Sequence, residues 1–225
     1  IPFGSASEAV EAFPRVLARA GILPTSIELM DRRSVETVYR FLGEPPPRPG
    51  IGAMLLVELD GSSRERVDEE TQRIGELFLE EGALDVYVGN PPPAERKMWA
   101  PRVNLAEAFK TLCPVQSLED IVVPTARIPD LIRELERLAR IHDVLIPCYG
   151  HAGDGNLHAT PVKKPETPLE TWKERLPQIL TELYGTVRGL GGTISGEHGI
   201  GSTRAPYLPI VMSPEMIDLQ KRIKR

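Results

Sequence analysis

Val144-Leu145-Ile146-Pro147-Cys148-Tyr149-Gly150-His151-Ala152-Gly153-Asp154-Gly155-Asn156-Leu157-His158-Ala159-Thr160-Pro161-Val162 reads as two apolar runs around a glycine-rich bend. The runs 144–149 and 156–162 predict strands. Glycines at 150, 153 and 155 predict a backbone that turns sharply or is closely approached. Working outward, 128–142 before the bend and 171–190 after it carry helical spacing of apolar residues. Beyond them, 120–123 and 193–195 read as outer strands. The order β-α-β-β-α-β is that of a split βαβ, or ferredoxin-like, unit. Such a unit places helices on one face of an antiparallel sheet and leaves the other face free.

The first half follows a looser version of the same order. Residues 7–20 predict a helix behind a serine cap, with Val10, Phe13, Val16, Leu17 and Ala20 inward. Strands are expected at 26–30, 51–59 and 84–88, with a charged amphipathic helix at 63–81. A further helix is expected at 94–109, interrupted by Pro101, and a closing helix at 213–224. Proline-rich stretches at 44–50, 90–93 and 163–168 mark breaks, the second ending a strand and opening a helix. The expected fold class is therefore α+β, an antiparallel sheet with helices on one face, in two ferredoxin-like subdomains, 1–110 and 111–225. No sequence repeat links the two halves.

Composition narrows the function. In 225 residues, 41% are hydrophobic and 26% charged, enough apolar material to order most of the chain. No apolar run approaches the ~18 residues of a membrane span, and no secretory leader is visible at the start. The net charge of −5 argues against nucleic-acid binding, which needs a basic face. Cys113 and Cys148 are too few for a disulfide framework and read as reduced thiols, so the expected location is cytoplasmic, with peripheral association to a membrane left open.

The histidines concentrate the chemistry. His142 ends a charged helix and reads as a solvated or capping residue. His151 and His158 flank the bend, with Asp154 and Asn156 between them; a tight hairpin with incidental histidines is the plain alternative. Gly191-Gly192-Thr193-Ile194-Ser195-Gly196-Glu197-His198-Gly199-Ile200-Gly201 sets a carboxylate beside an imidazole amid five glycines. Two histidines and a glutamate form a recurring open site for a divalent ion such as Zn, Mn, Fe or Co. His198, facing away from Glu197 on an extended backbone, is a candidate base. The alternative is a glycine-rich turn without chemistry. In Lys97-Met98-Trp99-Ala100-Pro101-Arg102, the planar fork of Arg102 could clamp a carboxylate, or the segment could simply pack a helix surface. On the residues alone, a metal-dependent hydrolase and a non-catalytic interaction subunit also stay open.

Gly150-His151-Ala152-Gly153-Asp154-Gly155-Asn156-Leu157-His158, the 191–201 segment, the W-x-x-R at 99–102 and Glu119-Asp120-Ile121-Val122-Val123-Pro124 together resemble the C-terminal, substrate-capping domain of the FAD-linked oxidases. This group includes glycolate oxidase subunits, D-lactate dehydrogenases and D-2-hydroxyglutarate dehydrogenases. The resemblance covers nearly the whole chain and implies residue roles. His151, His158 and Glu197 correspond to ligands of a divalent metal, Zn, Mn or Fe. His198 corresponds to the base that takes the C2 hydroxyl proton, and Arg102 to the residue that binds the substrate carboxylate. It implies hydride transfer from a small 2-hydroxy acid to FAD, held by a separate domain or subunit, and homo-oligomers are compatible with it. Thr160 departs from the family pattern, where hydroxyacid members often carry Asn. No flavin-binding segment is present, and the sequence stops before the family's expected tail. The expectation is a fragment, a split subunit or the capping half alone, inactive by itself.

Overall fold

The computed structural model describes residues 1–89 and 92–224. In chain order the elements begin β1 (Pro2–Phe3), α1 (Ala6–Ala20), β2 (Ser26–Asp31), α2 (Arg32–Leu42), β3 (Ala53–Glu58), α3 (Arg64–Glu80) and α4 (Pro92–Leu112). They continue with β4 (Glu119–Val122), α5 (Ile128–Ile141), β5 (Cys148–His151), β6 (Asn156–Ala159) and α6 (Leu169–Gly189). Short helices α7 (Gly201–Arg204) and α8 (Leu208–Val211) precede α9 (Pro214–Lys224). The chain is α+β with antiparallel strand pairing throughout. It divides into two compact units, one of residues 1–115 and 147–154, the other of 116–146 and 155–225. Chain order alone assigned 147–154 to the second half.

In the first unit the strands run in the order β1-β3-β2-β5. Helix α1 starts where Ser5 Oγ accepts the Glu8 N–H and stops at Gly21 in a left-handed conformation. Its inner face (Val10, Phe13, Val16) is buried, and it packs on α3, while α2 packs on α4. Phe3 and Phe78 meet edge to face with centroids 6.1 Å apart. Each such fully buried apolar side chain contributes on the order of 1.5–3 kcal/mol. Along β2, Ile27 and Leu29 are buried on one face and Glu28 and Met30 on the other, so both faces of this strand are covered.

In the second unit β4 pairs with β6, and bridges join Val162 to Gln116 and Leu145 and Thr193 to Val122. The core is built from Ile121, Leu131, Leu135, Leu138, Leu157, Ile179, Leu183 and Val187, the inner faces of β4, β6, α5 and α6.

Several local expectations are corrected. Residues 84–88 form no strand: the Asp85 carboxylate takes the Val86 N–H at 2.9 Å, removing a donor from any ladder. The strand expected at 144–149 starts only at Cys148, after Pro147, which has no N–H to give. At 193–195 a single bridge replaces a strand, because the chain turns there toward Asp120. Pro101 does not interrupt α4. Helix α2, absent from the expectation, is capped by Asp31, whose carboxylate accepts the Ser34 N–H at 2.8 Å. The expected strand end and helix start at 90–93 fall partly outside the described residues, which resume with α4 at Pro92.

Candidate functional site

In the second unit, adjacent carboxylates on β4 shape the loop that carries Glu197 and His198. Alternation along the strand sends Glu119 and Asp120 to opposite faces. Asp120 is fully buried, and its Oδ2 accepts four bonds: Ser195 Oγ at 3.1 Å and the N–H groups of Gly196 (2.9 Å), Glu197 (3.0 Å) and His198 (2.8 Å). Burial pushes this carboxyl up, but the four hydrogen bonds outweigh it and hold the carboxyl below its ordinary value. Gly196 is required for the wrap, because a Cβ there would lie 2.6 Å from the Asn156 side chain. Glu119, 3% exposed, holds the far end of the loop: it accepts from Tyr184 Oη and from Arg204 Nε (3.2 Å). Arg204 in turn donates to the carbonyls of Gly199 (3.0 Å) and Leu118 (2.7 Å).

This loop brings three of the candidate residues together. His158 on β6 stands directly opposite Asp120 in the β4–β6 register. Its Nε2 lies 3.4 Å from Glu197 Oε1, and His198 Nε2 lies 3.6 Å from the same oxygen. The two imidazoles stack nearly parallel, centroids 4.9 Å apart. Asp120, His158 and His198 each offer a donor atom, all within 4.8 Å of one another. Asp120 Oδ1 is buried and has no hydrogen-bond partner among the described residues, as is true of Thr160 Oγ1. The group can chemically hold a cation with mixed N/O donors, while His198, about a third exposed, stays reachable.

The other two candidates meet in the first unit. His151 on β5 faces Glu28 on β2 in register, its Nδ1 2.5 Å from Glu28 Oε1. Arg102 on α4 donates from Nε to Glu28 Oε2 at 2.6 Å, and its guanidinium lies over the Tyr149 ring, 5.7 Å from the centroid. Tyr149 is itself stacked on Phe109 at 5.8 Å. His142 caps α5, with Nε2 3.2 Å from Glu182.

Sequence reasoning assigned no role to Glu28 or Asp120. Each is a charge beside apolar strand residues, Glu28 between Ile27 and Leu29 and Asp120 before Ile121 and Val122, and a buried charge needs a partner. That was the available signal.

The chain spans about half the length of the curated relatives it matches. It is 31% identical to a D-lactate dehydrogenase of Anaerostipes hadrus, across all of this chain and 48% of that protein. An uncharacterized FAD-linked oxidoreductase of Mycobacterium tuberculosis is 34% identical, again across the whole chain and 48% of the relative. The glycolate oxidase subunit GlcD of Bacillus subtilis is 32% identical over 91% of this chain and 43% of its own. Among solved structures, p-cresol methylhydroxylase with substrate bound aligns over the whole chain and 49% of its own, with a TM-score of 0.65 at 15% identity, a likeness of fold. No helix among the described residues is long and apolar enough to cross a membrane. The family model for FAD linked oxidases, C-terminal domain, matches residues 1–225, and the chain belongs to that family.

Proposed function

We propose that this chain is the substrate-capping part of a flavin-dependent 2-hydroxy acid oxidoreductase of the glycolate oxidase or D-lactate dehydrogenase kind. FAD is held by another domain or subunit, and the two compact units are the ferredoxin-like subdomains expected at 1–110 and 111–225, with 147–154 belonging to the first. The observation that carries the reading is the clustering of Asp120, His158, Glu197 and His198. The names of the relatives supply the substrate class.

The residues fit a divalent ion: imidazole and carboxylate donors converge, and the buried Asp120 Oδ1 is left without a protein partner among the described residues. Zn, Mn and Fe all accept such a donor set. When bound, the ion supplies Lewis acidity toward the substrate hydroxyl, and the flavin supplies the hydride acceptor. His158 and Glu197 are the ligands contributed by the second unit, and the family resemblance adds His151. Asp120 presents Glu197 and His198 by gripping their amides. His198 takes the C2 hydroxyl proton at an imidazole nitrogen, a task imidazole performs near neutral pH. Arg102 binds the substrate carboxylate through its guanidinium edge. Thr160, whose hydroxyl has no hydrogen-bond partner among the described residues, stands where hydroxyacid members often carry Asn and is the position expected to tune substrate choice.

Anaerobic flavin reduction in the FAD-bearing protein tests this. D-lactate or glycolate is expected to bleach the flavin, and His198→Ala to slow that step by about 10²–10⁴-fold, the usual contribution of a general base. An undiminished rate in His198→Ala contradicts the reading, as does metal-dependent ester or amide hydrolysis by the chain without flavin.

A further inference from the structure

The first unit contains a buried carboxylate whose position is not explained by packing. Glu28 is 2% exposed, and among the described residues each of its oxygens has one partner: Oε1 faces His151 Nδ1 at 2.5 Å, and Oε2 accepts from Arg102 Nε at 2.6 Å. The first contact is set by register, since Glu28 and His151 are cross-strand partners on one face of β2 and β5. The second comes from α4. We propose that Glu28 is a positioning residue that sets, with one carboxylate, both the proton location on His151 and the presented edge of Arg102. The proposal rests on the roles given above to His151 and Arg102.

The chemistry on each side is specific. An ionised carboxylate only accepts, so a contact with it places the imidazole proton on Nδ1 and leaves the lone pair on Nε2. Nε2 is then the atom able to ligate a metal or accept a hydrogen bond. On the other side, Glu28 occupies the Nε of Arg102 and not its terminal nitrogens. No hydrogen bond to Arg102 Nη1 or Nη2 occurs among the described residues. The guanidinium is fixed at one edge by Glu28 and on one face by the Tyr149 ring, which Phe109 backs. The Nη1/Nη2 edge is thereby preset to receive the paired oxygens of a carboxylate. A glutamine at 28 cannot reproduce this: it offers one acceptor and one donor to two donors. Its NH₂ against Nδ1 would move the imidazole proton to Nε2.

Nitrogen-15 NMR of the histidine ring reads this without metal, flavin or turnover. Under mildly alkaline conditions the wild-type chain is expected to show His151 as the Nδ1–H tautomer. In Glu28→Gln the Nε2–H tautomer is expected to predominate, with Mn²⁺ affinity down about 10–100-fold, the usual cost of losing a ligand's supporting partner. In the FAD-bearing protein the same variant should raise KM for D-lactate more than it lowers kcat. A merely structural role would change the melting temperature and leave the tautomer as it was. A wild-type His151 in the Nε2–H form overturns the proposal, and this reading holds even if Glu28→Gln does not fold. A Glu28→Gln variant that folds with the wild-type tautomer overturns it equally. If the wild-type chain has the Nδ1–H form but binds no Mn²⁺, the metal reading fails while the positioning role stands.

Discussion

Each unit organises its candidate residues around a buried strand carboxylate, Glu28 in the first and Asp120 in the second, and uses it differently. In the first, Glu28 gathers side chains, an imidazole and a guanidinium, that arrive from β5 and α4. In the second, Asp120 gathers backbone, three successive N–H groups and one hydroxyl of the loop at 195–198. The contrast separates two ways of organising a site. Holding side chains fixes orientation and protonation but leaves the backbone to the strand ladder. Holding amides fixes the path of a loop that has no ladder of its own, and the side chains on it follow. The second arrangement suits a glycine-rich segment, which loses much conformational entropy on ordering and gives little packing in return.

The sharpest way to break the comparison is Asp120→Ala. It removes the acceptor of four bonds in a buried place, so urea unfolding is expected to show a loss of about 3–5 kcal/mol, with divalent-ion binding lost as well. If Asp120→Ala folds with unchanged stability and ion affinity, the loop is held by something else.

A smaller effect sharpens the comparison within a single segment. Gly155 has φ +86°, and a Cβ there would sit 2.0 Å from the Val123 carbonyl oxygen. Gly155→Ala should cost about 2–4 kcal/mol by the same measurement. Gly153, two residues earlier and in the first unit, would place a Cβ at ordinary contact distance, 3.6 Å from Ile27 N. Gly153→Ala should stay within about 0.5 kcal/mol of wild type. Equal costs at the two positions would contradict the described backbone.

Much of this was readable in the sequence, and the rest was hidden for identifiable reasons. The helices α1, α3, α5 and α6 follow from apolar spacing, because periodicity reports a buried face directly, while α9, with no buried residue, follows from its serine cap and first-turn proline. Helix α2 was legible but not read: Val35, Val38, Tyr39 and Leu42 recur at helical spacing behind the Asp31 cap. The strand expected at 84–88 failed because alternation in 84–88 cannot reveal that Asp85 satisfies the next amide itself. His151, His158, Glu197 and His198 stood out because histidine and glutamate amid glycines are conspicuous. Glu28 and Asp120 did not, since their roles depend on which strand lies beside them, and register is not written in local pattern.

The account turns on the second unit holding a divalent ion, and crystals of the chain grown with Mn²⁺ and measured for anomalous scattering test that directly. The account predicts an anomalous peak within coordination distance of His158 Nε2 and the Glu197 carboxylate, absent in His158→Ala. Crystals with an intact 195–198 loop and no peak at His158, or a peak that persists in His158→Ala, would contradict it.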